Sequence, residues 1–198
     1  GIEYAHNNGV AVGYWGSTLD YDPSDDSETK DHGFEHNFYL AYAQKINQDW
    51  HYKVQTTAYY YQDGGTVYAD NGDARKTTAL DVLGELAYKN LTLGAVVMLT
   101  DVSFANAGDI YLNARYRYAL AQNFRLNSSV GASIYNSSRD DSMISTQNKI
   151  AFNEARIGVS KEIPNTAVTA SLDYMVGGKD RFDTNFDDQV VLGLNFNF

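Results

Sequence analysis

The chain has no cysteine among its 198 residues and only 2 prolines. The lack of thiols rules out disulfides and fits an exported protein that folds without them. Basic charge is also scarce: the formal net charge is -10, and no basic stripe exists to follow a nucleic-acid backbone. No apolar run reaches the roughly 18 residues that a membrane-crossing helix needs, and the mean hydropathy is negative. These features exclude a helical membrane protein. They leave open a barrel, in which only alternate residues of each strand meet lipid. No segment repeats with a helical period, so no helix is expected. The chain opens at Gly1 with no initiator Met and no leader pattern, which reads as a mature or trimmed form.

Aromatics, by contrast, are abundant, with 16 Tyr, 9 Phe and 2 Trp. Such side chains favour pleated surfaces and interfacial belts. The residues from Asp187 to Phe198 show the organising pattern. Val190, Leu192, Leu194, Phe196 and Phe198 share one parity; Val191, Gly193, Asn195 and Asn197 share the other. A period of two is the mark of a strand with one face in an apolar medium and one in a polar medium. A terminal strand ending on an aromatic residue resembles that of bacterial outer-membrane barrels.

The same alternation recurs along the chain. Phe34, Phe38, Leu40 and Tyr42 oppose Glu35, Asn37 and Lys45; Trp50, Tyr52, Val54 and Tyr60 oppose His51, Lys53 and Thr57. Leu80, Val82, Leu86 and Tyr88 oppose Asp81, Glu85 and Lys89, and Leu91, Leu93 and Val97 follow. Leu112, Tyr116 and Tyr118 oppose Asn113, Arg115 and Arg117; Phe124, Leu126 and Val130 oppose Arg125, Asn127 and Ser129. Ile157 and Val159 oppose Glu154 and Arg156, and Leu172, Tyr174 and Val176 oppose Thr169, Ser171 and Asp173. About eleven strands are expected. Their connections alternate in length: Asn7-Asn8, 47–49, 89–90, 121–123 and 164–166 are short, whereas 22–32, 63–76, 101–108, 136–147 and 177–187 are long and polar. Short turns at one end and long loops at the other are the habit of outer-membrane barrels.

The fold class expected is therefore all-β: one antiparallel up-and-down transmembrane β-barrel over residues 1–198, with short periplasmic turns and long outer loops. Single-chain barrels have even strand numbers, so eleven strands imply a further strand upstream of Gly1 and about twelve in all. The alternative is ten strands with residues 1–8 as an appendage. An interfacial aromatic girdle is expected at Trp50, Tyr88, Tyr118, Phe124 and Phe198 beside the short turns, and at Phe34, Tyr60 and Tyr174 nearer the long loops.

The first twenty residues carry a resemblance. Gly1 to Tyr4 with His6, then Gly13, Trp15-Gly16-Ser17 and Asp20, resemble the start of the proteobacterial gcw_chp family of outer-membrane barrels. That family bears an upstream strand with an Arg-Gly signature, which these residues do not include. Related TorF-type barrels accompany secretion machinery, so the resemblance implies another envelope protein as a partner.

Charges cannot face hydrocarbon, where a basic residue costs about 2–4 kcal/mol at the midplane. Lys53, Asp81, Glu85, Arg115, Arg117, Arg125, Glu154, Arg156 and Asp173 are accordingly expected to line the lumen, either paired with one another or along a narrow channel. Arg115, Arg117 and Arg125, on two adjacent strands, are expected to form salt bridges to Glu85, Asp81 or Glu154; the alternative is that they attract a small anion. No catalytic residue, metal site or cofactor is expected. Asp31, His32 and His36 are the nearest approach to a barrel protease or metal cluster, and Ser128 has no outward-facing His to activate it. The acidic residues Asp25, Asp26, Glu28, Asp31, Asp140, Asp141, Asp180, Asp183, Asp187 and Asp188 belong to long loops and are expected to form a solvated outer surface. The alternative is that they bridge to lipopolysaccharide through divalent cations or dock a basic partner. The expected function is a narrow pore or small-solute conduit in the outer membrane of a Gram-negative bacterium, touching membrane lipids and no nucleic acid. The alternative is a non-conducting structural barrel of an envelope or secretion complex.

Overall fold

The computed structural model describes residues 1–19, 33–62, 64–69, 72–136, 144 and 146–197. Asp25, Asp26, Glu28, Asp31, His32, Asp140, Asp141 and Phe198 lie outside the described residues. The described residues contain thirteen strands and no helix. They are β1 (Ile2–Ala5), β2 (Val10–Leu19), β3 (Gly33–Lys45), β4 (Trp50–Tyr61), β5 (Thr66–Tyr68), β6 (Ala74–Lys76) and β7 (Ala79–Tyr88), followed by β8 (Leu91–Met98), β9 (Ile110–Ala119), β10 (Phe124–Ile134), β11 (Ile150–Glu162), β12 (Val168–Gly177) and β13 (Gln189–Phe196). Eleven of them form one sheet in which each strand pairs antiparallel with its neighbour in the chain; β5 and β6 form a separate hairpin within the connection from β4 to β7.

The strands turn where the local chemistry allows. Gly9 takes a φ of 95°, the left-handed geometry that a glycine adopts without steric cost. Lys89, Gln122, Asn123 and Asn165 hold positive φ in other short turns. The Asn47 side-chain oxygen accepts from the Asp49 and Trp50 amides at 2.9 and 3.0 Å, closing the turn between β3 and β4.

Four residues of β1 pair with β2, from Ile2 opposite Tyr14 to Ala5 opposite Ala11. Residues 2–5 are thus a strand of the sheet, which corrects the reading of residues 1–8 as an appendage. In a meander of eleven, the edge strands β1 and β13 run in the same direction, and they are not hydrogen-bonded to each other. The sheet nevertheless curls far enough that Gly1 to Glu3 and Asn195 to Asn197 line one cavity of about 460 Å³.

The distribution of burial is inverted relative to a water-soluble barrel. Leu86 faces Leu93 and Leu172 faces Leu192 on the outer surface, and all four are exposed, Leu192 at 79%. Asn37, Thr57, Asp81, Ser133 and Asn153 are buried instead, each at 9% or less. The apolar contribution to the inner face is mostly small, from Ala41, Ala79 and Ala151. One irregularity keeps the apolar row outward along β11. Gly131 pairs with Glu154 but Ala132 pairs with Phe152, so Asn153 is an extra residue. This bulge switches parity, and Phe152 stays on the outer face with Ile157 although their numbers differ in parity.

Candidate functional site: the polar interior

A strand that shows its apolar residues outward must point its intervening polar residues inward, where each needs a partner. Near the long-loop half, carboxylates are held by neutral donors. The Tyr59 hydroxyl donates to Asp81 at 2.6 Å, the Asn37 amide to Glu35 at 2.6 Å, and the Tyr111 hydroxyl to Glu154. Tyr39 reaches Glu3 on β1 at 3.0 Å. Lys53 sits opposite Glu85 in the register, with its ammonium 6.0 Å from the centre of the Tyr39 ring.

The half nearer the short turns is basic. Arg115, Ser129 and Arg156 occupy one row across β9, β10 and β11, and Arg117, Asn127 and Gly158 occupy the next. Arg125 lies on β10 one row beyond. All four arginines line a single cavity of about 660 Å³, with Ser160, Ser171 and Asn195 among the other walls. Arg115 is ion-paired to Glu85 and Arg125 to Glu162. Among the described residues, the side-chain hydrogen bond of Arg156 goes to the Met175 sulfur, at 3.7 Å. Among the described residues, neither Arg117 nor Arg156 has an ion pair. Asp173 lies over Gly158, where a Cβ would stand 2.1 Å from its carboxylate.

The long-loop mouth is occupied. Val102 and Ala105, from the loop between β8 and β9, pack on Ala79, Tyr59 and Met98, and Val102 is fully buried. Arg75 Nη1 donates to the carbonyls of Val102 and Ala105 at 3.1 Å and to Asn106 Oδ1 at 2.8 Å. Arg181 reaches in from the loop between β12 and β13, pairs with Asp109 at 3.0 Å and stacks over Tyr135. Asp109 also accepts from the amides of Asn106 and Asn136. Asn153, the bulge residue, accepts from Ser133 at 2.6 Å and donates to the Lys179 carbonyl at 2.9 Å. Further out, the Lys179 ammonium and the Asn148 amide hydrogen-bond Asp183, holding its carboxyl below the usual aspartate value.

A family model described as a bacterial protein of unknown function, Gcw_chp, matches residues 1–192. The chain belongs to the Gcw_chp family. No curated protein and no solved structure matches it. The Gcw_chp match runs from β1 into β13, so the arginine rows and the occupied mouth both lie within it.

Of the expected lumen set, the structure brings Arg115 to Glu85 and gathers Arg115, Arg117, Arg125, Arg156 and Asp173 around one cavity. It gives Asp81 and Glu154 tyrosine partners instead, although Glu154 lies only one row from Arg156 on the inner face of β11. Glu162, which partners Arg125, was not among the expected residues, although its parity with Arg156 and Ser160 points it inward. Trp15 was also missed; it follows the inner parity of β2 and lines the cavity. Trp50 and Tyr88 pair in register with ring centroids 4.7 Å apart, and Tyr60, Tyr118 and Tyr174 are exposed on the outer face. Phe34 and Phe124 are half-buried on that face. His36 also faces outward, among Phe34 and Tyr60, with its Nδ1 2.9 Å from the Tyr14 hydroxyl. Ser128 spends its hydroxyl on the Tyr116 carbonyl, at 3.5 Å.

Proposed function

We propose that this Gcw_chp protein is a β-barrel of the Gram-negative outer membrane whose interior is a narrow conduit for small solutes. The observation that carries the membrane reading is the inverted burial: Leu, Val and aromatic rows outside, with Asn, Asp and Arg within. Exposed apolar area costs about 25 cal/mol per Å² in water, and continuous rows on eleven strands far exceed the patches that soluble proteins tolerate. Trp50, Tyr60, Tyr88, Tyr118 and Tyr174 lie where headgroups would meet the two rims of such a band. Lipids and lipopolysaccharide are then its immediate surroundings. The test is solubility and folding. The protein is expected to require detergent or vesicles to stay monodisperse; a monodisperse, folded protein in plain buffer would remove the membrane reading.

The conduit reading rests on the 660 Å³ polar cavity. The loop residues packed into the opposite mouth favour a second reading, a non-conducting barrel that serves as a structural partner of another envelope protein. Planar-bilayer conductance separates the two. Current from the wild type, or from a variant with the mouth loosened at Asp109, supports a conduit; none from either favours the structural barrel.

A further inference from the structure

We propose that the cavity lined by β9 to β13, with Trp15 of β2, is a binding site for a small multivalent oxyanion of the phosphate or carboxylate class, with Arg117 and Arg156 as its principal ligands. The inference deepens the conduit reading by naming a solute class, and it rests on that reading only in requiring a water-filled interior. Four guanidinium groups and two carboxylates, Glu162 and Asp173, line this cavity, with Glu85 beside it on Arg115, in a protein whose net charge is -10. The positive charge is therefore concentrated locally.

The arginines divide into two kinds. Arg115 and Arg125 are held by Glu85 and Glu162 and form a fixed rim. Among the described residues Arg117 and Arg156 make no ion pair, and both are exposed on the inner face, so their guanidinium groups are free to meet a solute in the interior water. The guanidinium is a planar fork of donors that matches carboxylate and phosphate oxygens two at a time. Between the two forks the register places Ser129, Asn127 and Gly158, none of them large, with the Asp173 carboxylate over Gly158 and Trp15 lining the same cavity. Neighbouring strands are about 4.8 Å apart, so Arg115 and Arg156, two strands apart in one row, flank an opening on the order of 10 Å wide. Ser129, Ser160, Ser171 and Asn127 add uncharged donors around it. A volume of about 660 Å³ exceeds what one phosphate needs and suits a diphosphate or a tricarboxylate. Asp173, leaning over Gly158 at the edge of the same cavity, opposes anion entry and sets the affinity.

The test is isothermal titration of the full chain, folded in detergent micelles, with pyrophosphate in one arm and citrate in the other. Chloride at matched ionic strength is the control. Saturable binding of either probe without saturable chloride binding is expected. The double variant R117Q/R156Q should weaken it at least tenfold, and Asp173→Asn should strengthen it several-fold, a gain that a merely structural role would not produce. Retained heat-modifiable mobility on gels shows that each variant is folded; Arg156→Lys serves if the double variant is not, and should weaken binding while keeping the charge. Failure of the folded wild type to bind either probe, or unchanged affinity in R117Q/R156Q, overturns the site. Binding without bilayer current would overturn the conduit and leave the oxyanion site standing.

Discussion

Arg181 and Asp109, 72 residues apart in the chain, meet at 3.0 Å as a buried ion pair that ties two long loops across the barrel mouth. Only 4% of the arginine side chain and 12% of the aspartate side chain are exposed. Removing one member of such a pair leaves the other charged and unsatisfied, at a cost of about 3–5 kcal/mol. Asp109→Ala also strips the acceptor from the Asn106 and Asn136 amides. The expected outcome is release of the 99–109 loop from the mouth, measured as faster cleavage there in limited proteolysis while the strands stay protected.

The outer surface offers a direct test of its solvent. Leu93 is half-exposed, third along β8 from the short turn and opposite Leu86 on β7. In a bilayer, Leu93→Arg should lower the unfolding free energy by about 1–3 kcal/mol, between the interfacial and midplane costs. Denaturant titration in lipid vesicles measures it. An unchanged midpoint would mean that this face meets water.

Gly178 allows the backbone after β12 to approach β11 closely. A Cβ there would stand 2.2 Å from the Phe152 carbonyl oxygen, a backbone atom with little room to yield. Gly178→Ala should therefore cost about 1–3 kcal/mol through overpacking and loosen the Gly178 amide bond to the Asn153 carbonyl, now 2.6 Å. Thermal unfolding in detergent reads the loss, and Ala substitution at open Gly65 is the comparison expected to change little.

The outer loops respond to acid through Asp183 and Asp188. Lys179 and Asn148 hold the Asp183 carboxyl below its ordinary 3.8, and the Tyr174 hydroxyl with the Gly177 amide does the same for Asp188. A depressed folded-state value means that the stabilisation is fully present above the unfolded value and is lost as pH falls through the lower, folded one. The loop from 178 to 188 should stay ordered from neutral pH down to about 4 and loosen only in stronger acid. Side-chain carboxyl titration by NMR checks it, and Lys179→Met should move the Asp183 midpoint upward.

Much of this architecture is legible along the chain because a strand's period of two is a local property of the backbone. The alternation of Leu91 and Leu93 with Thr92 and Gly94 fixes which side of β8 is apolar. Asn47 and Gly9 announce their turns through chemistry they carry themselves. The number of sheet strands, the uneven connections and the inward side of Arg115, Arg117, Arg125 and Arg156 all follow from residues read in order.

The partners do not follow, because they depend on how strands are staggered against one another. Nothing in the order of residues says that Arg115 meets Glu85 while Asp81 meets Tyr59, or that Arg125 meets Glu162, 37 positions away. The bulge at Asn153 is equally silent in sequence, since one extra residue is recognised only against the strand it opposes. The β5–β6 hairpin and the loop folded into the mouth were hidden for the same reason: polar loops carry no period, and their contacts span tens of residues. Local alternation thus determined the faces of this protein, and the tertiary register alone decided which interior charges are neutralised and which two arginines are left facing an open cavity.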